Sequence, residues 1–339
     1  MAIRVGVVGM GARGRDWVRE IRADNAYELT ACVDASEETL RQAASNLQLP
    51  QAQCFNDLAE ALERRPCDAV IVATSAASHP EPCELALTRG VSVMVEKPFT
   101  LCLKDAARLV ALAEQKRIPL VVAQNYRYMR AHRTVRRLID EGVLGRVGMV
   151  TCQYYRVPHE MTPSLAALPH SVLWGMGVHH IDALRYVLGQ EVTGVMARSF
   201  TLEWTELPRG ASLQTLLTFD GGTQASYTAT YESSGHEFFE RGQEFYQRVI
   251  GERATLHVFQ RWLILCERGK WPRLIGRGPR PLSEESILLR QLERAHLRVE
   301  EPESSGRDNL KTVAVLEAIV RSSGDGGWVN PQELLDGLD

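Results

Sequence analysis

The chain has 339 residues, a length suited to two domains rather than one core. Its composition, 45% hydrophobic and 24% charged, is globular, and a net charge of −3 gives no signature of nucleic acid or an anionic membrane. Seven cysteines with no C-x-x-C pair fit free thiols in a reducing compartment, and no apolar run reaches bilayer length. The chain opens directly on an apolar strand, so the expectation is a cytoplasmic protein without a leader.

Ile3 to Val8 is a short Val-rich run bounded by glycine, the pattern of a strand buried on both faces. Gly9-Met10-Gly11-Ala12-Arg13-Gly14 follows, then Trp17, Val18 and Ile21 at helical spacing. In a G-x-G-x-x-G loop the first glycine permits the tight turn and the second lets backbone approach a pyrophosphate. The third lets the helix pack close to its strand. The free N–H groups and dipole of that helix would hold the phosphates. Leu29 to Val33 reads as the next strand and ends at Asp34, twenty residues after Gly14, where a carboxylate accepts hydrogen bonds from an adenosine ribose. Asp34 repels a 2′-phosphate, so NAD is favoured, with NADP left possible through Arg13 or Arg41.

The alternation of strand and helix continues. Ser36 starts a helix with Glu37 and Glu38 in its first turn. Asp68 to Thr74 is a buried strand followed by the polar turn Ser75 to His79, and Pro80 to Arg89 reads as a helix. Val91 to Val95 is a strand whose carboxyl end carries Glu96-Lys97-Pro98, where open α/β sheets bind ligands. On these residues alone the pair reads equally as surface charge or as chemistry. Leu103, Ala107, Val110 and Ala111 mark an amphipathic helix, and Leu120 to Ala123 a further strand. Residues 1–124 are therefore expected to be an α/β doubly wound parallel sheet of Rossmann type.

After Gln124 the texture changes. Asn125-Tyr126-Arg127-Tyr128 precedes a basic helix from Arg133 to Glu141, stopped by Gly142 and Gly145. Met149 to Tyr155, Val192 to Phe200, Gln214 to Phe219, Thr223 to Tyr231 and Ala254 to Phe259 read as antiparallel strands. Asp220-Gly221-Gly222 marks a hairpin. One apolar helix, Val172 to Leu188, interrupts them. Gly269 to Pro281 reads as a surface excursion, Val299 to Gly306 as an acidic linker, and Asp308 to Arg321 as a closing helix. Residues 125–339 are expected to be one α+β substrate-binding domain.

The chain resembles the Gfo/Idh/MocA oxidoreductases, named for glucose–fructose oxidoreductase and inositol dehydrogenase. The likeness rests on the glycine loop, the Ala73-Thr74 turn with Ser75 and His79, Glu96-Lys97-Pro98, Asn125-Tyr126-Arg127, and the Gly142 to Val147 turn. Gly177-Val-His179-His180-Ile-Asp182 and the stretch Asn309 to Ser323 complete it. It implies a C-terminal domain with an open-faced, largely antiparallel sheet whose exposed face commonly makes a homodimer or homotetramer. It further implies a nicotinamide cofactor, a sugar or cyclic polyol substrate, and a cis Lys97–Pro98 bond. By family position His179 is the acid/base and Lys97 the ammonium that stabilises the alkoxide. Gly9 to Gly14, Asp34, Thr74, Ser75, His79, Glu96, Lys97 and Asn125 are the expected cofactor contacts. Tyr126, Arg127, His179 and Asp182 join Lys97 as expected substrate contacts.

His179, His180 and Asp182 also raise the question of a metal. Adjacent helical residues point roughly 100° apart and do not readily chelate one ion, so none is expected. The sequence departs from the family at Gly175, where related dehydrogenases often carry an Asp one turn before the His. His180, His159 and Glu160 are the conceivable replacements. The leading expectation is a nicotinamide-dependent dehydrogenase or reductase. Its alternatives are a lyase or glycoside hydrolase that keeps NAD and uses transient oxidation, and a non-catalytic dinucleotide-binding regulator.

Overall fold

Strong strand formers, interrupted by helices whose apolar stripes repeat every three or four residues, build two compact units in the computed structural model. The structure describes residues 2–157, 161–207, 209–234, 243–259, 262–276 and 282–338, with the side chains of 243 and 244 left aside. One unit comprises Met1–Asn125 with Leu282–Val313, the other Tyr126–Pro281 with Ala314–Asp339. The expectation that all of 125–339 forms one domain thus differs at 282–313, which returns to the first unit. Among the described residues no helix is long and apolar enough to cross a membrane.

The first unit holds six parallel strands in the order β3-β2-β1-β4-β5-β6. They are β1 (Ile3–Val8), β2 (Tyr27–Val33), β3 (Cys54–Phe55), β4 (Ala69–Val72), β5 (Ser92–Val95) and β6 (Leu120–Val122). Helices α1 (Ala12–Ala23), α2 (Glu37–Leu47), α3 (Leu58–Arg64), α4 (Pro80–Thr88) and α5 (Leu103–Lys116) make the connections. The strand order reverses between β1 and β4, the switch point outside which such sheets bind ligands. Ser36 caps α2 by accepting from the Thr39 N–H, as its position before two glutamates suggests. The β3–α3 pair escaped the sequence reading because β3 is only two residues long.

The returning segment completes this unit. Helix α9 (Glu284–His296) lies against α1 and β5, with Tyr27 Oη bonded to Glu293 and Ser92 Oγ to His296 Nδ1, both at 3.0 Å. The stretch read as an acidic linker instead runs along the sheet edge. Ser304 O accepts from Val122 N at 2.8 Å and Ser305 bridges Val121, so the β6 edge is covered.

The second unit is an eight-stranded sheet in the order β14-β13-β12-β11-β7-β10-β9-β8. The strands are β7 (Val147–Arg156), β8 (Val192–Phe200), β9 (Ser212–Phe219), β10 (Gln224–Thr230), β11 (Gln243–Gly251), β12 (Ala254–Phe259), β13 (Leu263–Glu267) and β14 (Arg273–Ile275). All pairings are antiparallel except β7 with β10. The Asp220-Gly221-Gly222 turn joins β9 to β10, with Gly222 at φ +84°. β14 falls inside the stretch read as a surface excursion, of which residues 277–281 lie outside the described residues. Helices α6 (Arg130–Asp140) and α8 (Val178–Leu188) pack on each other, and α7 (Pro163–Ala166) is one short turn. The end of α10 (Gly306–Asp325) and α11 (Pro331–Asp336) protect the β8 edge, where Ser322 and Ser323 accept the Ala197 and Ser199 N–H groups at 2.8 Å.

Candidate functional site

In the first unit the three loop glycines have three different surroundings. Gly9 sits at φ +92°, and a Cβ there would lie 2.6 Å from Thr74 N, so β1 and the end of β4 meet too closely for a side chain. A Cβ on Gly14 would lie 1.8 Å from Gly9 O, so the first turn of α1 rests on the loop. A Cβ on Gly11 would meet nothing within 4 Å, which leaves that flank of the loop open. α1 has Gly11 at its N-cap, no side-chain cap and no acidic residue in its first turn. The N–H groups of Ala12, Arg13 and Gly14 and the helix dipole therefore favour an anion. Asp34 Oδ2 accepts the Met10 N–H at 2.7 Å and Oδ1 the Ser36 N–H at 2.9 Å, fixing the carboxylate beside the loop. Thr74 and Ser75 follow β4, where Ser75 Oγ bonds Ser78 Oγ at 3.0 Å. These surroundings fit a dinucleotide.

The Glu96-Lys97-Pro98 turn is anchored on both sides. Glu96 Oε1 accepts Trp17 Nε1 at 2.9 Å and Arg13 Nε and Nη2 at 2.9 and 2.7 Å, while Oε2 accepts the Lys97 N–H at 3.2 Å. Arg13 also pairs with Glu285 at 3.3 Å. The Lys97–Pro98 peptide is cis. His79 is buried, with Nδ1 facing Pro98 O and Phe99 O at 3.0 and 3.2 Å and Nε2 facing Thr74 O at 3.2 Å. Glu96 and His79 were expected to touch the cofactor; Glu96 is bonded to α1 and to the Lys97 N–H, and the His79 ring nitrogens face the carbonyls of Thr74, Pro98 and Phe99. Lys97 is half-buried. Desolvation lowers its ammonium pKa to about 8, with Arg13 adding to the shift and Glu96 opposing it. Asn125, after β6, opens the 3-10 turn Asn125–Tyr128, and its Oδ1 is buried with no hydrogen-bond partner among the described residues.

In the second unit the expected apolar helix begins as a wide π turn, Leu173–Gly177, before α8. Such turns are wider than an α turn and recur at functional sites. His179 is 5% exposed and stacks on Tyr126, with ring centroids 4.1 Å apart at 18°. His180 points elsewhere: its Nδ1 shares a hydrogen bond with Tyr227 Oη at 2.8 Å, and its ring stacks on Phe245. Arg127 and Asp182, expected at the substrate, are brought to each other in a buried bidentate pair with both bonds at 2.6 Å. No group of three or more His, Cys, Asp or Glu side chains is arranged to hold a metal among the described residues.

The position of Gly175 is filled from outside the helix. A Cβ there would lie 2.2 Å from Tyr231 Oη and 3.2 Å from Leu165 Cδ2. Tyr231 is 2% exposed and lies edge-on to Tyr154 at 6.3 Å. Burial raises the pKa of Tyr126, Tyr154 and Tyr231, so all three phenols keep their protons. The sequence pointed to neither Tyr154 nor Tyr231 as a site residue. The signal was the two-residue alternation that places Val150, Cys152 and Tyr154 on the inner face of β7, and Ala225, Tyr227 and Ala229 on that of β10. His159 and Glu160, the other candidate replacements, lie outside the described residues.

Comparison with known proteins agrees in both units. Residues 3–124 match the profile of the Gfo/Idh/MocA oxidoreductase family, NAD-binding Rossmann fold, and residues 132–257 match the Gfo/Idh/MocA C-terminal domain. A D-apiose dehydrogenase of Paraburkholderia graminis is 28% identical over 97% of this chain and 89% of that protein. A myo-inositol 2-dehydrogenase of Thermotoga maritima is 25% identical over 63% of each chain. An Agrobacterium radiobacter oxidoreductase, solved with NAD+, L-tartaric acid and magnesium, superposes with a TM-score of 0.88 at 22% identity, covering 98% of this chain and 100% of that one. These neighbours share the fold.

The Gly175–Tyr231 contact predicts that a carboxylate cannot simply be restored. Gly175→Ala is expected to cost about 1–3 kcal/mol in denaturant unfolding through overpacking. That cost should shrink in a Tyr231→Phe background, because the ring carbon Cζ lies at 3.3 Å where the hydroxyl lies at 2.2 Å. Equal costs in the two backgrounds would contradict the assignment.

Proposed function

Because the chain belongs to the Gfo/Idh/MocA oxidoreductase family, with an NAD-binding Rossmann fold at its N-terminus, we propose that it transfers hydride between NAD and a secondary alcohol of a sugar-like or cyclic polyol. The observation that carries this reading is Lys97: a half-buried ammonium with a pKa lowered to about 8, on a turn anchored by Glu96 and His79. The related D-apiose and myo-inositol dehydrogenases support the substrate class.

In the oxidative direction the substrate hydroxyl loses its proton to the His179 imidazole while Lys97 stabilises the oxygen's developing negative charge. When bound, NAD supplies the hydride acceptor. The segment from Gly9 to Gly14 holds the pyrophosphate, Asp34 the adenosine ribose, and Thr74, Ser75 and Asn125 the rest of the cofactor. Glu96 and His79 act by positioning Lys97. Arg127 and Asp182 act by fixing the 3-10 turn against α8, the two segments that carry Tyr126 and His179. NAD is favoured over NADP because Arg13 is committed to Glu96 and Glu285, and Arg41 to Glu37 and Glu38.

The protonation of Lys97 gives this reading a sign. The ammonium is present below about 8 and lost above it, so the oxidative rate is expected to fall as pH rises through about 8. Lys97→Arg keeps the charge and should remove that limb, while Lys97→Ala and His179→Ala lose turnover by orders of magnitude with NAD affinity retained. Steady-state pH profiles with a polyol panel and NAD check this, and an alkaline limb unchanged by Lys97→Arg contradicts it.

The second unit's sheet supports a homodimer or homotetramer. One outward row runs in register across all eight strands: Met196, Leu216, Ser226, Thr151, Arg248, His257, Ile264 and Leu274. Met196, Leu216 and Leu274 are 40%, 50% and 59% exposed, an apolar face of the kind that assembly covers. Light scattering after gel filtration should give a multiple of 37.9 kDa, falling to 37.9 kDa in a Met196→Arg, Leu216→Arg double variant. A wild-type monomer at micromolar concentration contradicts assembly through this face.

A further inference from the structure

One cation of the second unit has no role in the reaction described above. Arg156 ends β7, two residues after Tyr154 and on the same inner face. Tyr231 follows β10 in the same way after Tyr227 and Ala229. The strands pair in parallel with Ala229 opposite Tyr154 and Thr230 opposite Tyr155, which carries Tyr231 alongside Arg156. The Ser233 N–H donates to Arg156 O at 3.1 Å and keeps the two chain ends together. Arg156 donates to the Tyr154 hydroxyl, and its positive charge acts on the phenols of Tyr126, Tyr154 and Tyr231. The guanidinium therefore lies within electrostatic reach of three protonated hydroxyls.

Among the described residues that guanidinium has no counter-ion. Its Nε is buried with no hydrogen-bond partner, and no carboxylate among the described residues pairs with it. Arg127 and Arg185, on the same unit, are both paired with acids. Glu232, next in sequence to Tyr231, is committed to Ser212, Thr205 and the Leu202 N–H. Partly burying a cation without a partner is costly. The hydroxyl of Tyr231 also fills the space beside Gly175, four residues before His179.

We propose that Arg156, with the hydroxyls of Tyr154 and Tyr231, binds the carboxylate of a polyhydroxy acid, so that the substrate is a sugar acid rather than a neutral polyol. This rests on the dehydrogenase reading of His179 and narrows its substrate class. A carboxylate suits one guanidinium flanked by neutral donors, since its two oxygens take the fork and the phenols together. Arg156 and Tyr231 are then specificity-determining residues, and the acidic side chain absent at Gly175 is one that would have repelled the ligand.

The test uses the full chain loaded with NAD, titrated calorimetrically with D-gluconate, D-galactonate, D-glucuronate and D-galacturonate. D-glucitol, galactitol, D-glucose, D-galactose and D-glucose 6-phosphate serve as comparisons. At least one acid is expected to bind roughly 100-fold more tightly than its neutral counterpart. Arg156→Gln should erase that preference with NAD affinity and thermal midpoint unchanged, Arg156→Lys should restore part of it, and Tyr231→Phe should weaken acid binding while sparing the neutral sugars. Binding of no acid, preference for the neutral sugars or the phosphate, or an acid preference that survives Arg156→Gln overturns the proposal. NADH formation separates it from the reading it rests on. Acid binding that depends on Arg156 but never yields NADH sinks the dehydrogenase reading and leaves the anion site. NADH formation from neutral polyols in preference to every acid sinks the anion site alone.

Discussion

A single buried carboxylate organises the first unit. Glu96 is 5% exposed and accepts hydrogen bonds from the Trp17 indole, from Arg13 twice and from the Lys97 backbone. Trp17 is fully buried, so its N–H requires an acceptor, and Glu96 is that acceptor. Arg13 lies over the Trp17 ring at 5.6 Å, which holds the cation on the carboxylate. The same residue therefore joins the helix that opens on the glycine loop to the turn that carries Lys97. It also weakens, without cancelling, the desolvation that lowers the Lys97 pKa. Removing Arg13 would leave the buried Glu96 carboxylate without its counter-ion, which is why an Arg, a Trp and a Glu far apart in sequence behave as one part.

The second unit is organised by an exchange of volume. Gly175 gives up a side chain and Tyr231 supplies a hydroxyl in the same space, within the π turn that leads into the helix carrying His179. Tyr126 supports the His179 ring by stacking, and the buried Arg127–Asp182 pair braces the segments that carry both. A phenolic hydroxyl thereby occupies the space beside Gly175, with a cation close by. The electrostatic character of this region follows from that exchange more than from any single added charge.

Much of the first unit was legible because its signals are local. A Val-rich run, three glycines and an acidic residue twenty positions on depend on chain neighbours, and β1 occupies the span expected of it, Ile3–Val8. The hairpin at Asp220 to Gly222 was legible for the same reason. What escaped depends on partners distant in sequence. Nothing in Glu96 announces Trp17 and Arg13, and nothing near Gly175 points to Tyr231, 56 residues later. The parallel β7–β10 pair and the return of 282–313 to the first unit are likewise products of topology rather than pattern. Of the candidate site, residue types at motif positions were readable, whereas their direction was not. His79, Arg127 and Asp182 are satisfied inside the protein because buried polar groups must find partners, a demand that motif spacing does not express.

The central claim is that burial beside Glu96 makes Lys97 an ammonium that titrates near physiological pH. Titrating the lysine Nζ signals by NMR, with Lys97→Arg to assign the resonance, measures this without a substrate. The wild-type resonance should move through its transition at about 8, and Glu96→Gln, by removing the negative charge that opposes the shift, should carry it lower still. A Lys97 that titrates at the ordinary value of 10.5 in both proteins would contradict the account.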